Sequence, residues 1–160
     1  MTKSEKIFIS HSEKETRILG NNFGKNISDF SFAGLIVLLY GDLGTGKTVF
    51  VKGVGDSMKI SGVKSPSFTL INEYEAPSGI FLIHSDLYRL DENGVLSLGL
   101  EEYAGADDSV LFIEWAERLK NINFKNENVI RIFFTAINEN KREIKFSAEG
   151  KKAQEVINQL

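Results

Sequence analysis

Gly41-Asp42-Leu43-Gly44-Thr45-Gly46-Lys47-Thr48 fits the pattern G-x-x-x-x-G-K-[ST]. Glycines let such a loop wrap until successive backbone N–H groups point inward at phosphate oxygens. A helix starting at Lys47 adds the positive end of its dipole. In that setting the Lys47 ammonium reaches the β- and γ-phosphates and the Thr48 hydroxyl ligates Mg2+. The cradle runs from Gly41 to Val49, and the chemistry it implies is binding of a nucleoside triphosphate with magnesium. A glycine-rich turn without a ligand would share the pattern. What separates the two is context: an apolar strand directly before the loop and a helix directly after it.

A phosphate loop needs an acidic partner for its metal. Two positions qualify. Asp86 lies near the C-terminal end of the expected strand Ile80–Leu87, the edge where open α/β sheets place ligands. Glu114 directly follows the apolar run Val110–Ile113. Either carboxylate is suited to direct a metal-bound water or to position the attacking one. Without the loop, each would read as a helix cap or a turn residue. His84 shares the face of Asp86 by the strand period of two, and a lone strand histidine reads as structural. Trp115, beside Glu114, reads as a packing residue and an optical reporter of the site. Ser65, Ser67 and Thr69 bring small hydroxyls to a segment that fits a γ-phosphate switch. A polar loop entering a strand fits that segment equally well.

These residues need elements to hold them. Residues 6–10 alternate like a short strand, and Ser12 with Glu15 offers a capping box for a helix reaching about Ile27. Leu35–Tyr40 is a continuous apolar run that suits a strand covered on both faces. A helix is expected over Lys47–Met58. Strands follow over Thr69–Glu75 and Ile80–Leu87, joined as a hairpin at Ala76–Gly79. Residues 92–104 read as helix and Ser109–Ile113 as a buried strand. Val129–Ile137 and Arg142–Ser147 form a second hairpin, and 151–160 a last helix. Strands alternating with helices, plus hairpins, predict an α/β fold: a three-layer, P-loop NTPase-like domain around a mixed parallel and antiparallel sheet.

Composition sets the outer bounds. The 160 residues make about one domain, so residues 1–160 are expected to form a single P-loop domain. With no cysteine, disulfides, Cys-ligated zinc, iron–sulfur clusters and thiol nucleophiles are excluded. Two histidines, His11 and His84, argue against a His-rich metal site. No apolar run approaches the roughly 20 residues of a membrane span. Met1–Lys6 lacks the character of a secretory leader, so a cytoplasmic protein without membrane contact is expected. Nineteen Lys+Arg against 22 Asp+Glu give a net charge of −3. That balance speaks against gripping a long duplex such as DNA alone, though not against docking on a protein that holds nucleic acid.

Five segments occur in a telling order: Gly41–Thr48, Ser65-Pro66-Ser67-Phe68-Thr69-Leu70, His84-Ser85-Asp86-Leu87-Tyr88-Arg89-Leu90, Leu98-Gly99-Leu100-Glu101-Glu102-Tyr103 and Ile113-Glu114-Trp115-Ala116-Glu117-Arg118-Leu119. Thr16-x-x-Leu19-Gly20 precedes them. Together they resemble the TsaE (YjeE) family, small bacterial ATPases of tRNA threonylcarbamoyladenosine synthesis. The resemblance covers nearly all of the chain up to about residue 120. It implies a Mg2+-dependent ATP hydrolase that works with TsaB and TsaD. That pair places a threonylcarbamoyl group on the adenosine beside the anticodon of tRNAs reading codons that begin with A. Contact with tRNA would then be indirect, and hydrolysis slow without the partners. By position, the resemblance implies Lys47, Asp86 and Glu114 as catalytic groups, with Thr48, Glu114 and Asp86 around the metal. Gly41, Asp42, Leu43, Gly44, Thr45, Gly46, Lys47, Thr48 and Val49 form the cradle. Trp115 flanks it, and Ser65–Thr69 responds to nucleotide.

The sequence departs from the family's habit at a few positions. Thr45 stands where alanine is usual, Val49 where a second threonine follows, and Ala116 where proline is frequent. Ser85 stands where a large apolar residue often precedes the aspartate. Ser67 replaces threonine but keeps the hydroxyl, and Thr48 retains the group that the metal chemistry requires. Three rivals are weaker. A GTPase would use Asp91-Glu92-Asn93-Gly94 and Asn140-Lys141-Arg142-Glu143, but no glutamine follows Gly94 and position 143 is not Asp. A small kinase would need an Arg-rich lid, and the five arginines form none. A nucleotide-gated binding module with little hydrolysis overlaps with the family reading. For adenine contacts, Ser12–Thr16 and Lys141-Arg142 are the available segments.

Overall fold

The computed structural model describes residues 3–28, 33–120, 122–125 and 128–160. Met1 and Thr2, which enter the reading of the chain's start, lie outside the described residues. The strands are β1 (Ser4–Ser10), β2 (Ile36–Tyr40), β3 (Ile71–Glu75), β4 (Phe81–Asp86), β5 (Ser109–Glu114), β6 (Val129–Ala136) and β7 (Arg142–Glu149). The helices are α1 (Glu13–Asn26), α2 (Lys47–Ser57), α3 (Glu92–Ser97), α4 (Leu100–Tyr103) and α5 (Lys151–Asn158), with a 3-10 turn at Ala116–Arg118.

Among the described residues the strands form one seven-stranded sheet in the order β1-β7-β6-β2-β5-β4-β3. The apolar run of β2 takes its centre, as a segment buried on both faces must. β6, β2, β5 and β4 run parallel. β3 pairs antiparallel with β4 at one edge, and β7 and β1 continue antiparallel at the other. The mixed α/β fold expected from the alternation of elements is the fold observed.

One face of the sheet packs Leu39, Phe112, Ile132 and Phe146 against α1, α2 and α5, through Phe23, Phe50, Val54 and Ile157. Four aromatic rings sit at its middle, with Phe23 5.4 Å from Phe50 and 6.0 Å from Phe146. The other face packs Ile36, Leu38, Leu111 and Ile113 under Val95, Leu100 and Ala116. That second cover does not extend over the β7–β1 edge, where Ile7 and Ile9 face solvent.

Helix α1 starts where its cap chemistry places it. The Ser12 hydroxyl accepts from the Glu15 N–H, and the Glu15 carboxylate accepts from the His11 N–H at 2.7 Å. The reach-back thus lands one residue earlier than a capping box would place it. α1 then lies unusually close to α2. A Cβ at Gly20 would stand 2.1 Å from the Phe50 carbonyl oxygen, and one at Gly53 2.0 Å from that of Arg17. Glycine at both contacts is what lets α1 brace α2, the helix that carries the loop.

Several element ends shift by one or two residues from the sequence reading, and two differences have a backbone cause. The helix expected over 92–104 divides into α3 and α4, because Gly99 takes a left-handed φ of 65°. β3 begins at Ile71 rather than Thr69. Leu70 adopts φ 69° and donates its N–H to the Pro66 carbonyl at 2.7 Å, so residues 66–70 close a turn before the strand begins.

Candidate nucleotide site

The loop leaves the C-terminal end of β2 and enters α2 at Gly46, whose φ is 104°. A side chain there would meet Arg142 Nη1 at 2.8 Å, so both backbone and space call for glycine. The Lys47 ammonium folds back into the loop and donates to the carbonyl oxygens of Gly41 and Asp42, at 2.5 and 2.9 Å. Thr45 Oγ1 donates to the Asp42 carbonyl at 2.8 Å. These bonds hold the loop curled around its own lysine. The Lys47 ammonium also sits 4.4 Å from the centre of the Trp115 ring, a cation–π distance.

Acidic groups arrive from the neighbouring strands. Thr48 Oγ1 donates to Glu114 Oε1 at 2.7 Å, which joins the start of α2 to the end of β5. Asp86 is the register partner of Glu114 across the parallel β4–β5 pair, so two strand ends bring two carboxylates to one place. Asp86 Oδ1 accepts from the Tyr88 N–H at 2.9 Å, and Ser65 Oγ donates to Oδ2 at 3.5 Å. On the far side of Glu114, His84 Nε2 stands 3.3 Å from Oε1.

A cavity of about 430 Å3 opens over this arrangement. Leu43 to Val49 line it, together with Ser65, Ser67, Asp86, Tyr88, Arg89, Glu114 and Trp115, and with Glu13 and Arg142 at its other end. A larger hollow, about 730 Å3, lies along β3. It lacks the loop, Asp86 and Glu114, so the smaller cavity is the candidate site.

Burial shapes the charges. It draws the Lys47 ammonium below its ordinary value, against the opposing pull of Glu114, Glu117, Asp86 and Asp42. It raises the Asp86 carboxyl above the usual range, helped by the charge of Glu114 and opposed by the Tyr88 N–H. Burial acts the same way on Glu114, but His84, Thr48 and Lys47 outweigh it and hold that carboxyl below its ordinary value. Two adjacent carboxyls are thus pushed in opposite directions, an arrangement that suits separate roles.

The residues present fit both groups that such a loop implies. The first turn of α2 has no side-chain cap at Gly46, so its N–H groups are open to phosphate oxygens. Around Thr48 the donors are a hydroxyl and carboxylates, the hard oxygens that Mg2+ takes. Among the described residues no group of three or more His, Asp or Glu stands ready to hold a metal alone. One or two carboxylates completed by substrate phosphate is the usual Mg2+ arrangement.

Of the residues marked in the sequence, Lys47, Thr48, Asp86, Glu114, Trp115 and Ser65 converge, and Ser67 lines the same cavity. Thr69 does not join them. Its hydroxyl bonds Asn72 Oδ1 at 2.6 Å, and the residue lines the β3 hollow instead. Asp91 caps α3 by accepting from the Gly94 N–H at 2.8 Å, which accounts for the D-x-x-G spacing without a switch. Asn140 sits exposed in the β6–β7 connection, away from the cavity. Two cavity residues drew no site role from the sequence: Tyr88 and Arg89. Glu13 and Arg142 fall within the two segments noted for adenine. For Tyr88 the available signal was its place two residues after Asp86; its ring lies 4.8 Å from that of Trp115.

Fold and loop together define the class: an α/β protein with a strand–glycine loop–helix unit at the centre of a mixed sheet. The family described as threonylcarbamoyl adenosine biosynthesis protein TsaE matches residues 10–144. The tRNA threonylcarbamoyladenosine biosynthesis protein TsaE of Nostoc sp. is 40% identical over 142 residues, spanning 86% of this chain and 82% of that protein. Its Aquifex aeolicus counterpart is 36% identical over 140 residues, spanning 86% and 92%. The crystal structure of Bacillus subtilis YdiB matches with a TM-score of 0.78 and 26% identity, over 99% of this chain and 95% of that one. The chain belongs to the TsaE family. No helix among the described residues is long and apolar enough to cross a membrane.

Proposed function

We propose that the chain is a cytoplasmic ATPase that binds Mg-ATP in the loop between β2 and α2. Its nucleotide cycle supports TsaB and TsaD in forming threonylcarbamoyladenosine on tRNA. The observation that carries this reading is the 2.7 Å contact of Thr48 with Glu114 directly beside the buried Lys47. A hydroxyl, a carboxylate and an ammonium, groups suited to Mg2+ and to phosphate, thus share one cavity.

In this reading the loop amides and Lys47 bind the β- and γ-phosphates, so Lys47 exchanges loop carbonyls for phosphate oxygens. Thr48 and Glu114 hold Mg2+, which when bound neutralises charge on the phosphates. Asp86, whose raised carboxyl pKa suits proton transfer, orients the attacking water and takes its proton as the bond from the γ-phosphorus to its bridging oxygen breaks. Ser65 and Ser67 face the same cavity and respond to its contents. Trp115 covers the Lys47 ammonium from the side. Contact with tRNA is left to the partners, in keeping with the net charge of −3.

Reconstitution with TsaB, TsaD and tRNA tests the reading. Adding the chain with ATP and Mg2+ is expected to restore multiple turnovers of tRNA modification. A modification rate that is the same with and without the chain would sink it.

A further inference from the structure

His84 is fully buried, yet neither of its ring nitrogens makes a hydrogen bond among the described residues. Nε2 lies near Glu114 Oε1, at 3.3 Å, but off the direction a hydrogen bond needs. Nδ1 has no partner. An unsatisfied buried polar atom costs about 1–3 kcal/mol, so an imidazole held in this state calls for an explanation. Packing alone does not supply one. His84 pairs in register with Asn72 of β3 and Phe112 of β5, where an apolar ring of similar size would carry no orphaned nitrogen.

The explanation lies in what the imidazole touches. Glu114 Oε1 has Thr48 Oγ1 on one side, at 2.7 Å, and His84 Nε2 on the other. Thr48 belongs to the helix that carries the loop, and His84 to a strand of the sheet. The carboxylate is therefore held between a group that engages the ligand and one that does not. A ligating side chain is commonly aimed by a second group hydrogen-bonded behind it, and His84 Nε2, 3.3 Å from Oε1, is within reach of that role.

We infer that His84 is the positioning residue of Glu114: it fixes the carboxylate against Thr48 and so sets the affinity of the site for a divalent cation. The inference rests on the nucleotide reading of the loop. It gives His84 no contact with nucleotide and no part in proton transfer. The sequence holds the signal in one respect only, since His84 lies two residues before Asp86 on the same strand face.

Three variants separate aiming from filling space. His84→Ala removes the ring, His84→Phe keeps its bulk without nitrogen, and His84→Gln keeps a donor. Binding of ATP is read by Trp115 fluorescence, first with EDTA and then during Mg2+ titration. In His84→Ala and His84→Phe, ATP affinity without Mg2+ is expected to stay within about twofold of the parent, while the Mg2+ midpoint rises about tenfold or more. His84→Gln is expected to recover most of that shift. An unchanged midpoint in the first two variants, or no recovery in the third, overturns the inference.

A second measurement needs no variant of His84. With two histidines in the chain, the imidazole 15N spectrum of the parent holds two sets of resonances. Mg2+ added to the ATP-bound protein is expected to move the His84 Nε2 resonance and leave those of the exposed His11 in place. A His84 resonance that does not move overturns the inference even if every variant fails to fold. Failure of the underlying reading looks different: the parent would then bind no ATP, or Lys47→Ala would bind it equally well.

Discussion

The two wings of the sheet, on either side of β2, bury different chemistry. Towards β5 and β4 the interior takes in His84, Asp86 and Glu114, with Lys47 above them. Towards β6 and β7 it takes in Ile130, Ile132, Phe134, Ile144, Phe146 and Ala148, with the buried charge of Arg142 confined to the start of β7, beside the loop. Burying ionisable groups is costly unless they are paired, and even paired they stabilise a fold less well than apolar packing does. The β6–β7 wing is therefore built for stability. The β5–β4 wing gives some of that up to hold charge at the strand ends. Cover follows the same division: helices lie on both faces of the parallel strands, while the outer face of β1 meets water.

If the wings divide labour in this way, damage to each should appear in a different measurement. The largest effect is expected from Phe146→Ala, which removes a fully buried ring from the middle of the aromatic cluster. Stability measured by denaturant unfolding is expected to fall by about 3–5 kcal/mol, with ATP affinity of the folded protein unchanged. Glu114→Ala should do the reverse. Phosphate release from ATP is expected to slow by about 100-fold while ATP binding without Mg2+ stays close to that of the parent. Equal hydrolysis rates in the variant and the parent would remove Glu114 from the mechanism. The smallest effect is expected at the rim. Trp115→Phe keeps an aromatic ring beside Lys47 and should change ATP affinity by about threefold or less, as calorimetry would read it. A large loss there would mean that the indole contacts nucleotide directly.

The contrast between the wings also explains which parts of the site the sequence discloses. Gly41 to Thr48 is contiguous, so its chemistry is written in one segment. Asp86 and Glu114 each end an apolar strand, which is a local signal. That the two carboxylates face one another is not local: it depends on β4 lying beside β5, a pairing across 28 residues of chain (114 − 86). The role of His84 is hidden for the same reason, since both its burial and its neighbour Glu114 come from the adjacent strand. Arg142 reaches the loop only because the β6–β7 hairpin carries it there, with Nη1 donating to the Thr45 carbonyl at 3.5 Å. Backbone conformation sets where Thr69 lies. The left-handed φ of Leu70 closes a turn that sends the Thr69 hydroxyl to Asn72, and no residue type in that segment announces it. The order of the elements was legible because apolar periodicity is a local property. Their ends shifted where a positive φ intervened, as at Gly99.

The central claim is that Lys47, Thr48 and Glu114 form a magnesium–triphosphate site. ATP titration followed through Trp115, the single tryptophan, tests it most directly. Phosphate binding draws the Lys47 ammonium away from a ring centre that now lies 4.4 Å from it, so the emission should change. The account predicts a saturable change at one ATP per chain, tightened by Mg2+, preferring ATP to GTP, and weakened about 100-fold or more in Lys47→Ala. No saturable change in the parent, a preference for GTP, or equal affinity in Lys47→Ala would contradict it.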